Sequence, residues 1–131
     1  MKMQTLLNSF EKNDWHWFGK FVSSPIFNKN EAVLKIFTFF KQYKGKAENS
    51  IKSENLFETV FPGMAYEPAK LHHVANYFLK TTEDYLSWNE WEKHDSERLL
   101  YLLKACRQRG LEPHFHAVHK RLTDQREQQP E

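Results

Sequence analysis

The chain has one cysteine, four glycines and five prolines in 131 residues, and each scarcity removes a class of architecture. A lone Cys106 excludes an internal disulfide. Its neighbours Leu99, Leu100, Leu102 and Leu103 make it a small apolar filler, as expected in a reducing compartment. Few glycines leave few of the loops on which phosphate and cofactor sites are usually built. No uninterrupted apolar run approaches the roughly twenty residues needed to cross a bilayer, and the segment from Met1 to Leu7 is too short and too polar for a signal peptide. Nineteen Lys and Arg against seventeen Asp and Glu leave a net charge of +2, too small to steer the whole molecule onto a polyanion, so any basic patch is local. The expectation is a cytoplasmic protein that makes no use of a membrane and holds no cofactor.

What is abundant is aromatic rings: eleven Phe, five Tyr and four Trp. Most recur at spacings of three and four, which places them on faces of helices, and no alternation of period two is long enough to argue for a sheet. The fold class is therefore all-α, read as a single helical domain over residues 1–131, an aromatic-rich bundle of six to seven helices. A domain of this length buries roughly two thirds of the surface its unfolded chain exposes, enough for a core without staples.

Met3, Leu6, Leu7 and Phe10 give the stripe of a first helix over residues 3–10. Asn13 is placed to cap a second, with Asp14 in its first turn favourable to the dipole and Trp15, Trp17, Phe18, Phe21 and Val22 covering more than one face. Ser23-Ser24-Pro25 stops it. Asn28, with Glu31 three residues on, has the spacing of a capping box for a third helix carrying Val33, Ile36, Phe37, Phe40 and Tyr43, with Gly45 as its left-handed end and a polar loop from Lys44 to Ser50. Ser53 caps a short helix with Leu56, Phe57 and Val60, closed by Pro62-Gly63. Glu67-Pro68 begins the longest element, whose stripe runs from Leu71 to Trp91. After Lys93-His94-Asp95-Ser96, a helix from Glu97 to Arg109 ends at Gly110, and Pro113 opens a last helix that turns wholly polar from Asp124 to Glu131.

Three constellations carry candidate chemistry. His114, His116 and His119 lie near one helix start, yet no carboxylate or cysteine completes a ligand set at a recognised offset, so no metal is expected. Lys70, His72, His73, Asn76 and Lys80 open the long helix after a short one, an order like that of a helix-turn-helix offering its second helix to nucleic acid. The intervening turn from Pro62 to Glu67 is longer than usual, and Glu83, Asp84, Glu90 and Glu92 follow on the same helix. Arg107, Arg109, Lys120 and Arg121 read as helix-end and solvated cations. No nucleophile, base and acid stand at motif spacing, and a non-enzymatic chain is expected.

The tryptophans exceed what a core of this size requires, and tryptophan is enriched where proteins meet. Trp15, Trp17, Trp88 and Trp91, with Phe115 and Leu122 on the last helix, are the candidate partner surface. The run from Gly19 to Asn30, with Val60-Phe61-Pro62-Gly63 and Tyr66, resembles the N-terminal region of large uncharacterised bacterial proteins. That resemblance implies the N-terminal part of a longer helical protein and transfers no catalytic residue. The segment from Glu97 to Pro130 also has roughly the span of a tetratricopeptide unit without its signature residues. The function expected is thus a helical protein-protein interaction or scaffold domain, its partner another protein or further helices of the same chain, with nucleic-acid binding from the start of the long helix as the alternative.

Overall fold

The computed structural model describes residues 2–43 and 51–128, and among these the chain is helical with no strand. Seven helices follow one another: α1 (Lys2–Asn8), α2 (Lys12–Ser23), α3 (Glu31–Gln42), α4 (Ser53–Val60), α5 (Pro68–Glu92), α6 (Asp95–Gln108) and α7 (Glu112–Gln128). The expected cap at Gly45, the loop from Lys44 to Ser50 and the last residues from Gln129 lie outside the described residues. The span read as one domain divides into two compact units, Met1–Tyr85 and Leu86–Glu131.

In the first unit the rings gather around Phe18, which is wholly buried. Phe37 stacks on it at 5.4 Å, while Phe10, Phe78 and Tyr85 approach at 5.4, 5.8 and 5.1 Å. Offset and edge pairs of this kind contribute about 0.5–1.5 kcal/mol each beyond area burial, so α2, α3 and α5 are held by ring geometry as well as by exclusion of water. Phe57 of α4 packs instead on Phe61 and Tyr66, and the Lys35 ammonium donates to the Val60 carbonyl at 3.4 Å, tying α3 to the end of α4. The wholly buried Thr82 donates its hydroxyl to the Phe78 carbonyl. That bond removes the desolvation cost of a polar group in the core.

Several helix starts differ from the sequence expectation. Asn13 is inside α2 and does not cap it; the helix begins two residues earlier than that cap would start it, after Glu11, whose amide donates to Asp14 Oδ2 at 2.8 Å. The cap of α3 is Asn30, whose Oδ1 accepts from the Ala32 amide at 2.9 Å. Asn28 looks backward: its Nδ2 donates to the Val22 carbonyl at 2.8 Å and its Oδ1 accepts from the Asn30 amide at 3.0 Å. Proline at position 25 cannot supply the amide that would satisfy the last carbonyls of α2, and Asn28 substitutes for it. Similarly, Ser53 and Glu112 are the first helical residues of α4 and α7, and α6 starts at Asp95, two residues before Glu97.

In the second unit α6 and α7 run antiparallel: Ser96 meets Gln125 at one end, and the Arg107 guanidinium lies over the Phe115 ring at the other. Gly110 turns the chain with φ +68°, its amide bonded to the Arg107 carbonyl and the Leu111 amide to that of Cys106. This is a Schellman closure, which needs the left-handed conformation that glycine adopts freely. Leu103, Val118 and Leu122 form the core of the pair, flanked by Leu99 and Phe115.

Candidate interaction surfaces

The six side chains expected to make a partner surface separate on folding. Trp15 is only 9% exposed, edge-on to Phe10 and Phe37, and Leu122 is 4% exposed against Leu103 and Val118; both belong to cores and offer no surface. Trp15 shares the α2 stripe with Phe18 and Val22, which is why it turns inward. Trp88 and Phe115 are half-buried. Trp17 and Trp91 are open, Trp17 at 49% because it stands off that stripe, and Trp91 with an edge contact of 5.0 Å to Tyr101.

Several exposed apolar residues lie beyond the expected set. α6 leaves Leu100, Tyr101 and Leu102 open in succession, with Leu111 just past its end. In the first unit Ile26 is open at the tip after Pro25, while Phe27 folds back to stack on Phe21 at 4.4 Å. The sequence signal for α6 was the unbroken run Leu99 to Leu103, longer than one helix face can bury.

Among the described residues, the grooves of the first unit include the following two. One, of about 440 Å³, lies between Met3 of α1, Ser53 of α4 and the face of α5 that carries Leu71, Ala75 and Leu79, with His72 and Asn76 on its rim. The other, of about 450 Å³, runs between α2 and α3 over Trp15 and Phe37. On the second unit a smaller hollow of about 310 Å³ sits at the α6–α7 turn beside Arg107, Phe115 and His116.

Lys70, His72, His73, Asn76 and Lys80 are all exposed on α5. Lys70 pairs with Glu67 at 3.2 Å, Asn76 and His72 are 3.3 Å apart, and His73 sits edge-on to Tyr77. At about 100° per residue, Glu83 and Asp84 occupy the same exposed arc as His72, Asn76 and Lys80. Carboxylates on that arc weaken its attraction for phosphate.

His114, His116 and His119 are exposed on α7, with His119 stacked on Phe115 and His116 edge-on to it. Among the described residues no three His, Cys, Asp or Glu side chains gather where they could hold a metal ion. At the α5–α6 junction His94 Nε2 lies 3.1 Å from Glu90 Oε1, and that hydrogen bond, with Lys93 nearby, holds the Glu90 carboxyl below its usual range. Arg98 reaches both Asp95 and Glu92. These are solvent-exposed pairs and contribute little to stability. Among the described residues no helix is long and apolar enough to cross a membrane. No family model, no curated protein and no solved structure matches this chain.

Proposed function

We propose that this chain is a non-enzymatic helical interaction domain whose partner is a protein surface or further helices. The observation that carries the reading is on α6: it buries Leu103 and Cys106, yet holds Leu100, Tyr101 and Leu102 out in water. At about 100° per residue these three span the whole outer side of the helix, and that side offers apolar surface to another macromolecule. Trp91 against Tyr101 enlarges that face with a second ring. The setting proposed is cytoplasmic, supported by the buried, unpaired thiol of Cys106. A separate protein and the additional helices implied by the resemblance to large bacterial proteins would use the same chemistry.

Photo-crosslinking from position 101 in the native cell tests this reading. A discrete crosslinked species that disappears when Leu102→Glu is combined with the probe supports it. A chain that gives no crosslink from position 101 and stays monomeric at high concentration removes it. Nucleic-acid binding by α5 is the competing outcome: it requires affinity that falls steeply with salt and drops on Lys70→Ala and Lys80→Ala.

A further inference from the structure

The groove between α2 and α3 has a rim of one charge sign above two rings that are almost sealed in the core. Trp15 and Phe37 form the floor, His16 and Lys20 stand on the α2 side, and Leu34, Thr38 and Lys41 on the α3 side. Among the described residues no carboxylate lines it. Asp14, next to Trp15, is engaged by the Tyr85 hydroxyl and the Glu11 amide. Lys41 lies 5.9 Å from the Phe37 ring centre, within cation–π range, and the Thr38 hydroxyl donates to the Leu34 carbonyl at 3.0 Å. Leu34 is exposed although the rest of its wall is polar. Its place beside the Val33–Ile36–Phe37–Phe40 stripe puts it at the groove's mouth.

We propose that this groove docks an acidic amphipathic helix of a partner protein, the partner's apolar side chains entering beside Leu34 and its carboxylates meeting Lys20 and Lys41. The proposal rests on the reading of the chain as an interaction domain and names the chemistry of one partner. Charge decides the sign of the occupant: two ammonium groups on opposite walls favour a segment that brings carboxylates to both. Shape decides its class. The groove follows α2 from Trp15 to Ser23, roughly 12 Å of helix axis, which suits about two turns of a third helix. Both floor rings are almost fully buried and present no open face, so a nucleic-acid strand finds nothing to stack on. The cations are exposed at the rim and do not converge inside, so a small organic anion gains few desolvated contacts.

The test uses the full chain and a fluorescein-labelled helical peptide with leucines at helical spacing on one face and glutamates beside them. A second peptide keeps the leucines and replaces every glutamate by lysine. Fluorescence anisotropy is expected to show saturable binding of the acidic peptide alone, weakening with salt. Lys20→Glu with Lys41→Glu should reduce affinity at least about tenfold, because two rim contacts change from attraction to repulsion. Leu34→Ser should also weaken it, while Lys70→Glu with Lys80→Glu leaves it unchanged. Helical circular dichroism of each variant confirms that the exposed substitutions have left the fold intact. Absence of saturable binding, equal binding of the lysine peptide, tighter binding of oligouridylate, or an affinity untouched by the charge reversal overturns the proposal. If it fails while crosslinks from position 101 persist, the interaction reading stands on α6 alone; loss of both removes both.

Discussion

The Tyr85 hydroxyl donates a 2.6 Å hydrogen bond to Asp14 Oδ1, joining α5 to the first turn of α2. The other oxygen of the same carboxylate accepts the Glu11 amide, so one acid both closes a helix start and anchors a wholly buried ring. Burial first, then the hydrogen bond and the charge of Asp14, push the Tyr85 hydroxyl well above the ordinary tyrosine value near 10.

A raised value means that folding favours the protonated hydroxyl. Below about pH 10 the tyrosine is neutral in both folded and unfolded chains, and its contribution is fully present. Above that, the unfolded phenol ionises while the folded one keeps its proton, and stability falls as pH rises further. Urea unfolding at neutral pH is expected to show Tyr85→Phe less stable by about 1–2 kcal/mol, the worth of a hydrogen bond to a partly solvated carboxylate. In alkaline buffer the wild type should lose stability more steeply than the variant, since only the wild type carries the hydroxyl at this position. Parallel slopes for the two proteins would contradict the role given to the hydroxyl.

Tyr85 also marks how far the sequence can be read. Its place on the long helix's inward stripe follows from local spacing, as do Phe18, Phe37 and Phe78 on theirs. Its partner stands 71 residues away, and no local pattern selects Asp14 among seventeen acids. The groove between α2 and α3 is hidden for the same reason: Lys20 and Lys41 are each legible as exposed helix-end cations, but their juxtaposition depends on α2 packing against α3. Trp15 and Trp17 were indistinguishable as residue types. Only the position of Trp15 on the Phe18–Val22 stripe separates the core ring from the open one.

Asn28 and Asn30 invert the expected division of labour, and the inversion is measurable. The Asn-x-x-Glu spacing favours Asn28 as cap, whereas Asn30 takes that role and Asn28 spends both ends of its amide across the turn after Pro25. Asn30→Ala removes one capping bond, worth about 1 kcal/mol. Asn28→Ala leaves the half-buried turn without its links to the Val22 carbonyl and the Asn30 amide, and should cost about 2 kcal/mol. Denaturant midpoints of the two variants check the order, and a more damaging Asn30→Ala would reverse this account.

Gly19 sits mid-helix where alanine is ordinarily better by about 1 kcal/mol. A Cβ there would stand 3.2 Å from Phe37 Cζ, and Phe37 is held by its stack on Phe18 and its edge contact to Trp15. With the ring fixed, crowding outweighs propensity, and Gly19→Ala is expected to destabilise by about 0.5–2 kcal/mol. Thermal unfolding of Gly19→Ala beside Gly19→Ala/Phe37→Leu separates the terms: the smaller side chain should make the alanine neutral or favourable. A stabilised single variant would show that Phe37 yields freely.

In the second unit the core and the open face of α6 make opposite forecasts from equally apolar residues. Leu122 is nearly sealed between Leu103 and Val118, so Leu122→Ala removes buried methyl groups from a core with few other members and should cost about 2–4 kcal/mol. Tyr101 is 61% exposed and touches Trp91 at one edge, so Tyr101→Ser should change stability by less than about 0.5–1 kcal/mol. Hydrogen exchange along α6 and α7 distinguishes them: amides of both helices should lose protection together in Leu122→Ala and retain it in Tyr101→Ser. The binding consequences run the other way, because Tyr101 lies on the face proposed to meet a partner and Leu122 does not. Loss of protection in Tyr101→Ser comparable to that in Leu122→Ala would mean that α6 needs its outer ring to fold, and the open face would then be structural.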